Sequence, residues 1–105
     1  MSRVDAIRQL LQESPDDTFL LYSLGMELLA AGKAAEAAGQ FRRVLELDSQ
    51  YLAAYRQAAQ ALRQMGDIAS AAQMLRRGLA VADQAGDTHA RDQLRLLLDA
   101  LEQTS

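Results

Sequence analysis

The sequence predicts an all-α protein, an α-α superhelix (solenoid) built from antiparallel helix pairs. Residues that favour helices, chiefly Ala, Leu, Gln, Arg and Glu, are abundant among the 105 residues, whereas aromatic residues make up 5% and proline occurs once. Helix-breaking residues recur at regular intervals, and the chain repeats part of its own sequence after a shift of 34 residues. Together these observations indicate short helices that stack on one another.

The first three helices are delimited by a proline and a glycine. Pro15 follows Ser14 and precedes Asp16-Asp17, a polar cluster that is typical of a helix start. Gly32 ends the apolar run that comes next, and glycine often follows the last residue of a helix. The predicted helices are 2–13, 18–31 and 34–47.

The last three helices are separated by similar breaks. Asp48 lies before the fourth helix, Gly66-Asp67 before the fifth and Gly86 before the sixth. Because the connections are short, successive helices are expected to pack antiparallel. These predicted helices are 52–65, 68–84 and 88–103.

Internal repetition is the strongest feature of the sequence. When residues 18–51 are aligned with residues 52–85, nine of the 34 positions are identical. The unit so defined has two helices with a glycine between them. A unit of this kind cannot bury its apolar faces alone and is expected to stack on a neighbour. The identical pairs are Leu28/Leu62, Gly32/Gly66, Ala35/Ala69, Ala37/Ala71, Ala38/Ala72, Arg42/Arg76, Arg43/Arg77, Leu45/Leu79 and Gln50/Gln84.

This unit resembles the tetratricopeptide repeat. That family places a large residue, a Leu-Gly pair and an aromatic or large apolar residue on its first helix. On its second helix it places Ala, an aromatic residue and a second Ala, and it closes with Pro. In the first repeat the matching residues are Leu21, Leu24, Gly25, Leu28, Ala37, Phe41 and Val44, with Ser49 in place of the proline. In the second they are Tyr55, Ala58, Ala59, Leu62, Ala71, Leu75 and Gly78, with Asp83 in place of the proline.

The resemblance implies a single tetratricopeptide-like domain over residues 1–105, with full repeats at 18–51 and 52–85. Pro15 lies 34 residues before Ser49, so 2–13 is expected to be the second helix of a half-repeat, and 88–103 a capping helix. The residues expected to face inward on the two flanking helices are Ile7, Leu10, Ala90, Leu94, Leu97, Leu98 and Leu101.

Composition argues against several classes of protein. The net charge of −3 disfavours a nucleic-acid partner, and no apolar stretch is long enough to span a membrane. Without cysteine, and with His89 as its single histidine, the chain lacks a thiol nucleophile and a histidine metal site. We therefore expect no enzyme activity, no cofactor and no metal. The N-terminus lacks the apolar core of a secretion signal, so a cytoplasmic location is expected.

Two groups of charged residues are interpreted as structural. Asp residues near the predicted helix starts are expected to cap helices rather than to act as acid–base pairs. The repeated pairs Arg42-Arg43 and Arg76-Arg77 are interpreted as a solvated outer face, with a basic ladder for an acidic partner as the alternative. The residues expected to cap helices are Asp16, Asp17, Asp67 and Asp87.

The candidate binding site lies on the first helix of each repeat, which the resemblance places along a concave groove. Helix 18–31 has a second apolar stripe beside its core stripe, so it is apolar almost all round and needs a cover on two sides. The corresponding stripe on 52–65 is basic and polar. The predicted site for a protein or peptide segment consists of Phe19, Tyr22, Met26, Leu29, Arg56, Gln60 and Arg63.

Two alternatives stay open for the second stripe of helix 18–31. It can be internal core, because neighbouring helices flank the first helix of each repeat. It can also close a symmetric homodimer of a structural, self-associating protein.

Overall fold

The computed structural model describes residues 1–103, which contain six helices and no strand. The predicted boundaries agree with it to within one residue. The helices are α1 Arg3–Glu13, α2 Thr18–Ala30, α3 Ala34–Leu47, α4 Leu52–Gln64, α5 Ile68–Ala85 and α6 Thr88–Gln103.

Left-handed glycines end three of the helices. Gly32, Gly66 and Gly86 have φ angles of +79°, +81° and +69°, a conformation that residues with a Cβ rarely adopt. After each glycine the next N–H donates to a carbonyl of the last helical turn, as in Asp67 N to Leu62 O at 2.9 Å. The equivalent Gly32 and Gly66 therefore make the turn inside each helix pair in the same way.

Aspartates begin several of the helices, as the sequence predicted. The carboxylates of Asp17, Asp67 and Asp87 each accept a hydrogen bond, at 3.0, 3.1 and 3.0 Å, from the backbone N–H three residues later. The prediction was wrong for Asp16, which instead accepts a hydrogen bond at 2.7 Å from Arg43 of α3. Its position one residue outside the cap leaves its carboxylate free to reach the neighbouring helix.

The helices pack chiefly on their neighbours along the chain, with α2 also touching α4. The even-numbered helices lie side by side on one face. Direct contacts join α2 to α4, and α4 and α6 line a common cleft. The odd-numbered helices lie on the other face, where Arg8 of α1 reaches Glu36 of α3. Together they form the stacked helical array that the repeat pattern predicts.

The core fills the spaces between the two layers. Its largest fully buried side chains come from α2 to α5, whereas no residue of α1 is buried. Small residues such as Ala37, Ala58 and Ala71 are 0% exposed and let the helices approach closely. The largest fully buried residues are Leu28, Phe41, Val44, Tyr55 and Leu62.

Two residues expected to face inward are exposed. Leu10 is 52% exposed because α1 rests on the core through the stripe Val4, Ile7 and Leu11. Leu97 is 38% exposed because α6 is buried through Leu94, Leu98 and Leu101, with Ala90 packed against the core. In each case the helix is rotated slightly from the predicted orientation, which moves one leucine out of the interior.

Candidate functional site

The second apolar stripe of α2 divides into exposed and half-buried residues. Phe19 is 68% exposed and Met26 is 37% exposed. Tyr22 and Leu29 are half-buried and pack against the core. Part of the stripe is therefore internal packing, while Phe19 and Met26 are accessible to a partner.

Tyr22 belongs to an aromatic cluster that joins α2 to α3 and to the loop before α4. Its ring centroid lies 5.6 Å from that of Phe41 and 5.1 Å from that of Tyr51, distances that suit tilted aromatic pairs. Burial raises the pKa of the Tyr51 hydroxyl, and the neighbouring Tyr22 and Asp48 act in the same direction. Tyr22 therefore packs against aromatic rings of the same chain, which agrees with its half-buried position.

The three predicted residues of α4 line a cleft between α4 and α6. Arg56, Gln60 and Arg63 lie on one helix face because they are spaced by four and three residues. Apolar side chains of α4, α5 and α6 line the rest of the cleft. These are Ala59, Leu75, Leu97, Ala100 and Leu101.

A second cleft continues along the same pair of helices. Arg56 lines both clefts, so its side chain lies where they meet. The residues that α6 contributes to the two clefts were not predicted as site residues, and Leu97 was assigned to the core. These α6 residues face the clefts because of the rotation of α6 about its own axis. No feature of the sequence indicates that rotation. The second cleft is lined by Leu52, Ala53, Arg56, Ala90, Gln93 and Leu94.

The α4–α6 clefts are electrostatically one-sided. No Asp or Glu of residues 1–103 is among the side chains that line either cleft. Within that part of the chain, neither Arg56 nor Arg63 has a carboxylate within ion-pair distance, whereas most other arginines do. Two guanidinium groups without an ion-pair partner among the described residues therefore lie beside an apolar surface.

Three of the four arginines of the outer face are engaged within the chain. Arg43 pairs with Asp16 at 2.7 Å and with Glu46 at 3.2 Å, and these hydrogen bonds raise its pKa. Arg76 lies 3.5 Å from Glu102, and the guanidinium of Arg77 lies 5.6 Å from the centre of the Tyr55 ring. The prediction of a structural outer face is favoured over a basic ladder.

Residues 1–103 contain neither a cluster of metal-binding side chains nor a membrane-spanning helix. No three His, Cys, Asp or Glu side chains come together there as a metal site, and no helix is long and apolar enough to cross a membrane. His89 is exposed near the start of α6.

The stacked helix pairs define the class of helical-repeat proteins. The model of the tetratricopeptide repeat family matches residues 28–97. The chain therefore belongs to the tetratricopeptide repeat family, a family of protein-interaction modules that is generally not catalytic.

Named relatives agree with this assignment. TPR repeat-containing protein PA0015 of Pseudomonas aeruginosa is 31% identical over 99 residues, which cover 94% of each chain. Protein BPP2914 from Bordetella parapertussis is similar in solution structure, with a TM-score of 0.86, 25% identity, and coverage of 99% of this chain and 90% of that one. The TPR2B domain of yeast Sti1, in its complex with pHsp70, has a TM-score of 0.89 at 19% identity, covering 97% and 82%.

Proposed function

We propose that this protein is a non-catalytic adaptor or scaffold that binds a peptide or protein segment in the groove predicted from its sequence. The observation that carries the proposal is the exposure of Phe19 and Met26, two large apolar side chains on the face of α2 that the sequence assigns to the groove. Exposed apolar groups of this kind favour contact with a partner. The groove consists of Phe19, Tyr22, Met26, Leu29, Arg56, Gln60 and Arg63.

The proposal includes the domain organisation expected from the repeat pattern. Residues 18–51 and 52–85 are its two full repeats, flanked by the half-repeat helix 2–13 and the capping helix 88–103. The matching left-handed conformations of Gly32 and Gly66 support this division. A cytoplasmic location remains a prediction.

Selection from a displayed library of random peptides on the immobilised protein tests the proposal. We expect enriched peptides to bind the wild-type protein and to lose binding to a Phe19→Ser/Met26→Ser variant. The matched control is Leu10→Ser/Leu96→Ser, which removes two leucines that are 52% and 70% exposed on α1 and α6. Circular dichroism melts show whether each variant remains folded.

Two results would count against the proposal. Failure of any peptide to enrich above background would remove peptide binding as the function. Equal binding by the wild-type protein and the Phe19→Ser/Met26→Ser variant would show that the groove is the wrong site.

A homodimer through the apolar face of α2 is the second candidate. The exposed Phe19 favours it, because a ring that is 68% exposed is an effective anchor in a symmetric interface. We expect sedimentation equilibrium to show a dimer that the Phe19→Ser variant dissociates. A monomer at high protein concentration would remove this candidate.

A further inference from the structure

A stripe of α1 is exposed although its equivalent on α3 is largely covered. Leu10 is 52% exposed, whereas Val44, the equivalent residue 34 positions later, is 0% exposed. The difference arises because α3 packs on both α2 and α4, while α1 packs chiefly on α2. The stripe consists of Arg3, Ala6, Leu10 and Glu13, all of them exposed.

We propose that a second copy of this chain covers the stripe, so that two α1 helices pack antiparallel about a two-fold axis. The four residues recur at spacings of three, four and three, which places them in one line along the helix, as in the seam of a coiled coil. This surface is separate from the groove, and the inference does not depend on the proposed function.

The order of residues in the stripe is self-complementary when one copy is reversed. With the two-fold axis beside Arg8, Arg3 of each copy lies opposite Glu13 of the other, and Ala6 lies opposite Leu10. The interface then contains two pairs of opposite charge and two contacts of a large side chain with a small one. A parallel arrangement would bring like charges together, which repel each other.

The helix dipole favours the same arrangement. Arg3 is at the N-terminal end of α1, which carries partial positive charge, and Glu13 is at the C-terminal end, which carries partial negative charge. Both charges are therefore unfavourably placed in their own helix. In an antiparallel pair each lies beside the oppositely charged end of the other helix.

Both charged residues of the stripe are available to a second copy. Arg3 lies 3.0 Å from Glu27 of α2, but its side chain is 85% exposed and can donate to a second carboxylate. Glu13 has no ion-pair partner among residues 1–103. Arg8 pairs with Glu36 of α3 at 3.7 Å, on another side of α1, so the two copies of Arg8 do not meet at the axis.

The size of the interface sets the strength expected of the dimer. Two helices of 11 residues bury less area than a permanent dimer needs, so the association is expected to be weak and concentration-dependent. The dimer buries Leu10 twice by symmetry, and it gives this leucine the covered position that Val44 has on α3.

Charge reversal measured by sedimentation equilibrium tests the inference. We expect the wild-type protein to dimerise, and Glu13→Arg to raise the dissociation constant of the dimer about tenfold because two attractive pairs become repulsive. Arg3→Glu is expected to have a similar effect. An equimolar mixture of the two variants should regain the wild-type affinity, since their heterodimer contains both pairs of opposite charge again.

Leu10→Ser tests the apolar part of the stripe and is also expected to weaken the dimer at least tenfold. The matched controls lie on α6. Asp99→Arg reverses an exposed carboxylate, and Leu96→Ser removes a leucine that is 70% exposed. Both controls should dimerise as the wild-type protein does. Circular dichroism melts show which variants are folded, and if Arg3→Glu is not, Glu13→Arg and Leu10→Ser test the inference without it.

Four results would overturn the inference. The first is a wild-type protein that remains monomeric up to about 1 mM. The second is an equal effect of Glu13→Arg and Asp99→Arg, which would show that net charge rather than the stripe controls association. The third is a mixture of folded charge variants that associates no more tightly than either variant alone. The fourth is a dimer that Phe19→Ser dissociates and Leu10→Ser does not, because it would use the face of α2.

The proposed function fails separately from this inference. Peptide selection depends on Phe19 and Met26, whereas the α1 dimer depends on Leu10 and Glu13. Loss of peptide binding in the Phe19→Ser/Met26→Ser variant with unchanged dimerisation would support both proposals.

Discussion

The ring of Phe41 on α3 packs directly on Gly25 of α2. A methyl group placed on Gly25 would lie 2.6 Å from Cε1 of Phe41 and 2.8 Å from its Cζ, well inside van der Waals contact. Phe41 is 0% exposed, so the ring cannot move into solvent to relieve the overlap. The glycine is required here by the close approach of the two helices.

Gly25→Ala is therefore expected to lower the free energy of unfolding by about 1–3 kcal/mol, as overpacking of a filled core usually does. Urea denaturation followed by circular dichroism measures the change. The control is Gly39→Ala, at an exposed position of α3 where an added Cβ meets nothing within 4 Å. That substitution should stabilise the protein by roughly 0.5–1 kcal/mol through helix propensity. Equal stability of the two variants would show that the Phe41 contact is looser than described.

The two phenylalanines of the chain are expected to respond oppositely to truncation. Phe41→Ala should cost about 3–5 kcal/mol because it leaves a cavity between α2 and α3. Phe19→Ala should change stability by less than about 0.5 kcal/mol because the ring is 68% exposed. Thermal melts of both variants test this difference. A silent Phe41→Ala would contradict the repeat register that places this ring in the core.

The Tyr55 hydroxyl ties α4 to the turn before it. It donates a hydrogen bond at 2.8 Å to the carbonyl oxygen of Ser49, and the Tyr55 residue is only 2% exposed. Tyr55→Phe is expected to cost about 0.5–1.5 kcal/mol because the carbonyl loses its partner. Tyr22→Phe removes the same atom from a half-buried ring and serves as the control in urea denaturation. A larger loss in the control would show that the Ser49 bond contributes little.

Asp67 is expected to make stability depend on pH at acid values. Two hydrogen bonds from Ser70 lower the pKa of this carboxyl from its ordinary value of 3.8. The side-chain bond has the larger effect and the backbone N–H the smaller. A carboxyl whose pKa is lowered on folding stabilises the folded state at pH values above its unfolded pKa. This contribution is lost as the pH falls through the folded pKa.

Asp67→Asn retains a capping side chain but removes the titrating group. The melting temperature of the wild-type protein should therefore exceed that of the variant at neutral pH, and the difference should shrink as the pH falls below about 4. Melts across this range measure it. A constant difference would show that Asp67 does not titrate with folding.

The helix boundaries could be predicted because their causes are local. Gly32, Gly66 and Gly86 adopt left-handed backbone that other residues disfavour, and Asp67 caps the helix that follows. The buried Phe41 and Leu28 could be predicted because repeat periodicity marks the positions where helices face each other.

The rotation of the outer helices could not be predicted in the same way. Each outer helix packs on fewer neighbours, so several orientations satisfy its apolar pattern, and Leu10 and Leu97 were assigned to the wrong side. The sequence also does not indicate which charges meet. Asp16 and Arg43 are 27 residues apart, and their pairing depends on how α3 lies against the start of α2. For the same reason, the sequence does not indicate that Arg56 and Arg63 lack ion-pair partners among residues 1–103.

Packing between chain neighbours has a consequence for hydrogen exchange. Since α1 contributes no buried residue and is held chiefly by α2, its amides are expected to exchange through opening of that helix alone. The amides of α3 and α4 lie between packed neighbours on both sides and require a larger unit to open. Protection of the amides from exchange should therefore rise from α1 toward the middle of the array. When α1 opens alone, the face of α2 beneath it is exposed transiently while the rest of the protein remains folded.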